Sequence, residues 1–147
     1  MELSQFTDYS LRTLMYLAIE DDEPPLTSID EIAFAYGISK NHLVKVVHNL
    51  AKLDYIDSFR GRSGGISLAK APKDINIGIL VRQTEKLAMV DCFEGRAGDC
   101  CLNGVCELKH LLSQATSAFL SELDRATLAD LTQSKSKMKN RLQLQTD

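Results

Sequence analysis

The stretch from Thr27 to Ala69 leaves this chain the fewest folds to choose from. A short amphipathic segment, Thr27 to about Tyr36, stops at Gly37, and a second begins at Ser39 and runs to about Asp54. Thr27, with Asp30 three residues on, predicts a capping box for the first helix, and Ser39 predicts the cap of the second. Gly37 is suited to the left-handed position that ends a helix. Ile32, Ile38, Leu43, Val46, Val47 and Leu50 then face inward, which is the helix-turn-helix pattern. Two β-type runs follow, about Tyr55 to Phe59 and Ile66 to Ala69, around a turn containing Gly61, Gly64 and Gly65. They predict a hairpin. The order defines a mainly α fold, a winged helix-turn-helix with a small β-hairpin wing.

A net charge of −3 argues against nucleic acid until its distribution is read. Between Gly37 and Lys73, seven basic residues (Lys40, Lys45, Lys52, Arg60, Arg62, Lys70, Lys73) stand against two acidic ones, Asp54 and Asp57. A basic patch on an acidic chain is the electrostatic footprint of double-stranded DNA binding. Ser39, Lys40, Asn41, His42 and Lys45, at the start of the second helix of the pair, can donate to phosphates. Lys, Asn and His also reach base edges in a major groove. Ser28, at the start of the first, is a further phosphate donor. The glycine-rich wing tip brings Arg60, Arg62, Ser63 and Gly64 close to DNA, with an arginine entering the narrow minor groove.

The flanking elements read as follows. Ser4 or Thr7 caps a first helix to about Ile19, with Phe6, Leu14, Leu17 and Ala18 on its buried stripe and Asp8 in its first turn. The acidic, proline-containing run 20–25 ends it. Asn76 caps a helix through Ile77, Leu80, Val81 and Leu87. After Cys106 comes a long amphipathic helix whose stripe runs Leu108, Leu111, Leu112, Ala115, Ala118, Phe119, Glu122, Leu123. A domain this small has little core to cover that stripe, so a homodimer is expected. Thr127 caps a last turn, Leu128 to Leu131, and a polar tail, disordered or weakly helical, follows from Thr132. The expected organisation is residues 1–75 for DNA binding, 76–131 for the connecting helix, the cysteine loop at 91–106 and the dimerisation helix, and 132–147 for the tail.

All four cysteines fall within the fifteen residues from Cys92 to Cys106, among Gly95, Gly98, Asn103 and Gly104. No apolar run approaches the ~20 residues of a membrane span. The N-terminus also lacks a signal-peptide pattern, since Glu2, Asp8 and Arg12 interrupt it. A cytoplasmic protein with no membrane partner is expected, its thiols kept reduced. Clustered thiols there suit an iron–sulfur cluster, a zinc ion, a thiol switch or chance grouping. The gaps of seven and five residues around Cys100, with no C-x2-C pair, favour the larger iron–sulfur centre over zinc. Cys100 and Cys101 are adjacent, and neighbours rarely both ligate one cluster. Asp8, Asp91, Asp99 and His110 are then candidates for a further ligand.

These residues match a known family. Phe6-Thr-Asp-Tyr-Ser-Leu-Arg12, Tyr36-Gly-Ile-Ser-Lys-Asn-His-Leu-Val-Lys45, Val47-His-Asn-Leu50, Arg60-Gly-Arg-Ser-Gly-Gly-Ile66 and the Cys92/Cys100/Cys106 loop resemble the winged-helix iron–sulfur transcription regulators. Phe119-Leu-Ser-Glu-Leu-Asp124 with Thr127-Leu-Ala-Asp-Leu131 is similar to their nitric-oxide-sensing branch. The resemblance implies a homodimeric repressor of a palindromic operator, its cluster held by Cys92, Cys100 and Cys106. It implies 4Fe–4S, completed by Asp8 of the partner subunit, with nitric oxide as the signal. Two features depart from the pattern: the gap from Cys92 to Cys100 is long, and Cys101 is extra.

An alternative within the fold is a 2Fe–2S regulator of iron–sulfur or redox homeostasis. Its members carry a histidine three residues after the last cysteine, where this chain has Lys109. A small redox or electron-transfer protein is the rival from another class. No G-x-G-x-x-G after a strand, P-loop or nucleophile elbow is present, so no enzyme is expected.

Overall fold

The computed structural model describes residues 2–19, 26–90 and 100–142. Helix α1, Gln5–Ile19, lies at the centre of the fold and packs against the second helix of the helix-turn-helix pair, the wing and the C-terminal helices. The Ser4 hydroxyl accepts the Thr7 N–H at 3.3 Å, closing its first turn as expected. Leu14, Tyr16, Leu17, Ala18 and Ile19 enter the core. Ser10 and Thr13 are buried with them and donate to the Phe6 and Tyr9 carbonyls, each at 2.7 Å, so no hydroxyl is left unsatisfied.

Helix α2, Ile29–Tyr36, begins one residue later than the sequence predicts. Ser28, not Thr27, is its cap. Ser28 Oγ accepts the Glu31 N–H at 3.2 Å, and the Glu31 carboxylate accepts the Ser28 N–H at 2.6 Å. The box therefore uses Glu31 in place of Asp30. Thr27 is drawn into the wing instead: its N–H donates to the Ile66 carbonyl at 3.1 Å, and the Ile66 N–H donates back at 2.8 Å. Gly37 ends α2 at φ +64°, and α3 spans Lys40–Lys52. Ser39 stands at its N-cap position but makes no side-chain capping bond. Ile32, Ile38, Leu43, Val46, Val47 and Leu50 are all buried, as the periodicity requires.

Strands β1, Ile56–Phe59, and β2, Gly65–Leu68, pair antiparallel with Phe59 opposite Gly65. A Cβ on Gly65 would approach the Leu26 Cβ and Thr27 carbonyl within 2.8 Å, so glycine lets β2 lie against the chain leading into α2. A 3-10 turn, Pro72–Asp74, leads to α4, Ile77–Thr84, capped by Asn76 through the Ile79 N–H at 3.0 Å. Leu87 lies beyond the end of α4. Helix α5 covers Glu107–Leu123, and α6, Leu128–Leu131, carries a Thr127–Asp130 capping box. The tail forms a further helix, α7, Lys135–Arg141, packed against α1. Among the described residues no helix is long and apolar enough to cross a membrane.

Candidate nucleic-acid interface and metal centre

The core face of α3 fixes what its other face presents. With Leu43, Val46, Val47 and Leu50 turned inward, Lys40, Asn41, His42 and Lys45 are exposed together with Ser39. The structure thus brings the predicted base-reading and phosphate-binding side chains onto one surface. Two of them have partners that spacing did not reveal. Lys40 Nζ lies 2.8 Å from Asp30 Oδ2, tying the first residue of α3 to the first turn of α2. The His42 ring packs against Tyr9 of α1, with centroids 6.3 Å apart. Ser28 is half-buried, its hydroxyl engaged in the capping box.

At the wing tip Arg60, Arg62 and Ser63 are exposed, and Gly64 is half-buried. Gly61 holds φ +112°, a conformation that strains any other residue. Its carbonyl accepts the Gly64 N–H at 3.0 Å, and a Cβ on Gly64 would collide with the Phe59 carbonyl oxygen. Both glycines are needed for the turn that carries the two arginines outward.

The thiol loop ends where α5 begins. Cys100 and Cys101 are exposed, Cys106 is half-buried at the N-cap of α5, and all three are free thiols. The helix's positive end favours an anionic ligand at that point. Two turns shape the approach: the Asn103 N–H donates to the Cys100 carbonyl and the Val105 N–H to the Leu102 carbonyl, both at 3.1 Å. Cys92, Asp91 and Asp99 lie outside the described residues. His110 is exposed on α5.

Asp8 sits half-buried in the first turn of α1, and its carboxylate accepts from Arg12 Nε at 3.0 Å. Arg12 in turn lies over the Tyr36 ring, 5.7 Å from its centroid. Burial pushes the Tyr36 hydroxyl above its ordinary pKa, Arg12 opposes this, and Asp8 adds to it. Asp8, Arg12, Tyr36 and Gly37 line a polar cleft of about 480 Å³. Among the described residues, no three His, Cys, Asp or Glu side chains converge on one metal position. The donor types nevertheless suit an iron–sulfur centre: several free thiols and a harder carboxylate.

Two helices joined at Gly37, a basic face on the second and an arginine-tipped hairpin define a winged helix-turn-helix regulator of the DNA-binding class. Residues 3–134 match the Rrf2 family, described as iron-dependent transcriptional regulators. The chain belongs to that family. It is 49% identical to the HTH-type transcriptional regulator NsrR of Bacillus licheniformis over 132 residues, covering 89% of this chain and 92% of that protein. It is 48% identical to the NsrR of Bacillus subtilis over 136 residues, covering 92% of each. Among solved structures, CymR, the global cysteine regulator of B. subtilis, superposes with TM-score 0.73 at 27% identity, covering 90% of this chain and 97% of that one. T. potens IscR gives TM-score 0.72 at 26% identity, covering 90% and 87%.

Proposed function

We propose that this protein is a homodimeric repressor that holds operator DNA through an iron–sulfur-dependent arrangement of its two winged helices and releases it on exposure to nitric oxide. One observation carries the reading. A thiol loop leads directly into α5, a helix whose outward apolar side is uncovered among the described residues, on the same chain as a basic recognition helix. Leu108 and Leu111 are 60% and 61% exposed, an unusual state for leucines at helical spacing and one that a second copy relieves. The relatives named NsrR support the regulatory class.

In this reading Cys92, Cys100 and Cys106 hold the cluster, 4Fe–4S, and Asp8 of the partner subunit completes it. The bound cluster supplies iron that reacts with nitric oxide. The protein's own residues do the rest. Cys106 anchors the loop to α5. Ser39, Lys40, Asn41, His42 and Lys45 enter the major groove, and Arg60, Arg62, Ser63 and Gly64 follow the wing into the minor groove, with Ser28 against the backbone. A palindromic operator requires the two α3 helices about 34–36 Å apart. A misfit costing only ~3 kcal/mol lowers affinity more than a hundredfold.

The test uses protein purified without oxygen, with iron and sulfide counted per chain. Its binding is measured on duplexes it selects from a random-sequence pool, before and after addition of nitric oxide. Four irons per chain and loss of binding with nitric oxide are expected. Two irons per chain favour the 2Fe–2S homeostasis regulator, and binding indifferent to nitric oxide defeats the sensing role.

A further inference from the structure

Lys40 occupies an uncomfortable place. As the first residue of α3 it puts a positive charge at the positive end of a helix dipole, where a cation is disfavoured. Its flexible four-carbon stem also makes it a poor reader of sequence, because a free ammonium finds phosphates as readily as bases. Asp30 alters both conditions. Its Oδ2 lies 2.8 Å from Lys40 Nζ, across ten residues of chain and the turn at Gly37.

The geometry around Asp30 shows why it is available. The first turn of α2 carries two carboxylates, Asp30 and Glu31. Glu31 is committed to the capping box through the Ser28 N–H at 2.6 Å. The box fixes the start of α2, and thereby the position from which Asp30 reaches α3. An ammonium has three donors, so one bond to Asp30 leaves two for DNA.

We infer that Asp30 is a specificity-determining positioning residue, which holds the Lys40 ammonium at one point of the recognition surface so that it reads a base edge instead of ranging over phosphates. The inference rests on the proposed DNA-facing role of α3. The pair is solvent-exposed on both sides, so its effect is modest, about two- to fivefold in an equilibrium constant.

The experiment measures binding of the anaerobically purified protein and of Asp30→Asn, Lys40→Ala and the double variant. Each is titrated against a duplex selected by the wild-type protein from a random pool and a scrambled duplex of the same composition. Asp30→Asn is expected to lower the ratio of selected to scrambled affinity about two- to fivefold. It should add nothing to Lys40→Ala. Repeated selection with either variant should relax the same base-pair position, a readout that loss of fold does not produce. A shift of the same factor on both duplexes overturns the inference, as does an Asp30→Asn effect that persists without Lys40. If Lys40→Ala changes neither duplex, the assignment of this part of α3 to DNA fails too, and that outcome is distinct from the others.

Discussion

Arg82 and Asp124 close the junction between α4 and α5 with a bidentate ion pair, in which the guanidinium donates to both carboxylate oxygens, Nη2 to Oδ2 at 2.8 Å. The pair lies directly over Gly78, where a Cβ would strike the Asp124 carboxylate. Asn76 Nδ2 donates to the Asp124 carbonyl at 2.7 Å, and the Ile77 N–H donates to the Ala126 carbonyl at 3.0 Å. The elbow after α5 is thus tied to the start of α4, and with it the angle at which α5 leaves the winged helix. Gly78→Ala forces Asp124 off Arg82. Because the groups displaced are the ends of two flexible, part-exposed side chains, only a small drop in thermal midpoint, a few degrees at most by calorimetry, is expected. An unchanged midpoint would show that the carboxylate relocates at no cost.

The same junction sets a pH dependence. Arg82 holds the Asp124 carboxyl below the usual carboxylate range, and the Thr127 backbone N–H does the same for Asp130. Burial pushes Glu85 up, but hydrogen bonds from Ser4 and Thr7 bring it below its ordinary value. Each depressed carboxyl contributes stability that is complete above its unfolded pKa, about 3.9 for Asp and 4.3 for Glu, and is lost as pH falls through the folded value. Thermal scans should therefore be flat from pH 7 to about 5 and fall below about 4. Arg82→Ala should flatten that fall.

Much of this junction was legible from sequence. The Asn76 and Thr127 caps and the Leu128–Leu131 turn follow from local rules, because a hydroxyl or amide three residues from a free N–H needs nothing distant. The end of α4 does not. The periodicity runs on to Leu87, yet the helix stops at Thr84, and the Ser4 N–H binds the Glu85 carboxylate at 2.7 Å, a contact spanning the chain. The Thr27/Ser28 choice failed for a similar reason: Thr27 pairs with Ile66, far along the chain, a partner that is within reach only once the wing has formed. At the candidate site, the exposed face of α3 was readable from its buried one, whereas the Asp30–Lys40 and Tyr9–His42 contacts cross between helices and leave no spacing signal.

Helix α5 supplies a test of assembly. Leu120 is buried and Phe119 and Leu123 pack on the core, while Leu108 and Leu111 stay outside it. Leu111→Asp places a charge at the proposed dimer contact without touching the intrachain face. Sedimentation should show the wild type as a dimer and the variant as a folded monomer with weakened DNA binding. A dimeric variant would remove α5 from the interface.

Cys100 and Cys101 separate by substitution. The resemblance assigns the ligand role to Cys100, and both thiols are exposed and free. Cys100→Ser should abolish cluster absorbance and bound iron in anaerobic preparations, whereas Cys101→Ser should keep both. The reverse result would exchange the two roles.

The wing and the recognition helix should fail in different ways. Lys45 is exposed on α3, and Arg60 is exposed at the wing turn just before Gly61, which holds a positive φ. Lys45→Ala removes a phosphate neutralisation. It should weaken binding about evenly across sequences and reduce the salt slope, the fall of log affinity with log salt, by about one. Arg60→Ala should weaken binding most where the wing meets A·T-rich steps, because a narrow minor groove concentrates negative potential on an inserted guanidinium. Fluorescence-anisotropy titrations at several salt concentrations, on selected duplexes with A·T or G·C flanks, read both effects. Equal losses on both flanks for both variants would place the arginine outside the groove.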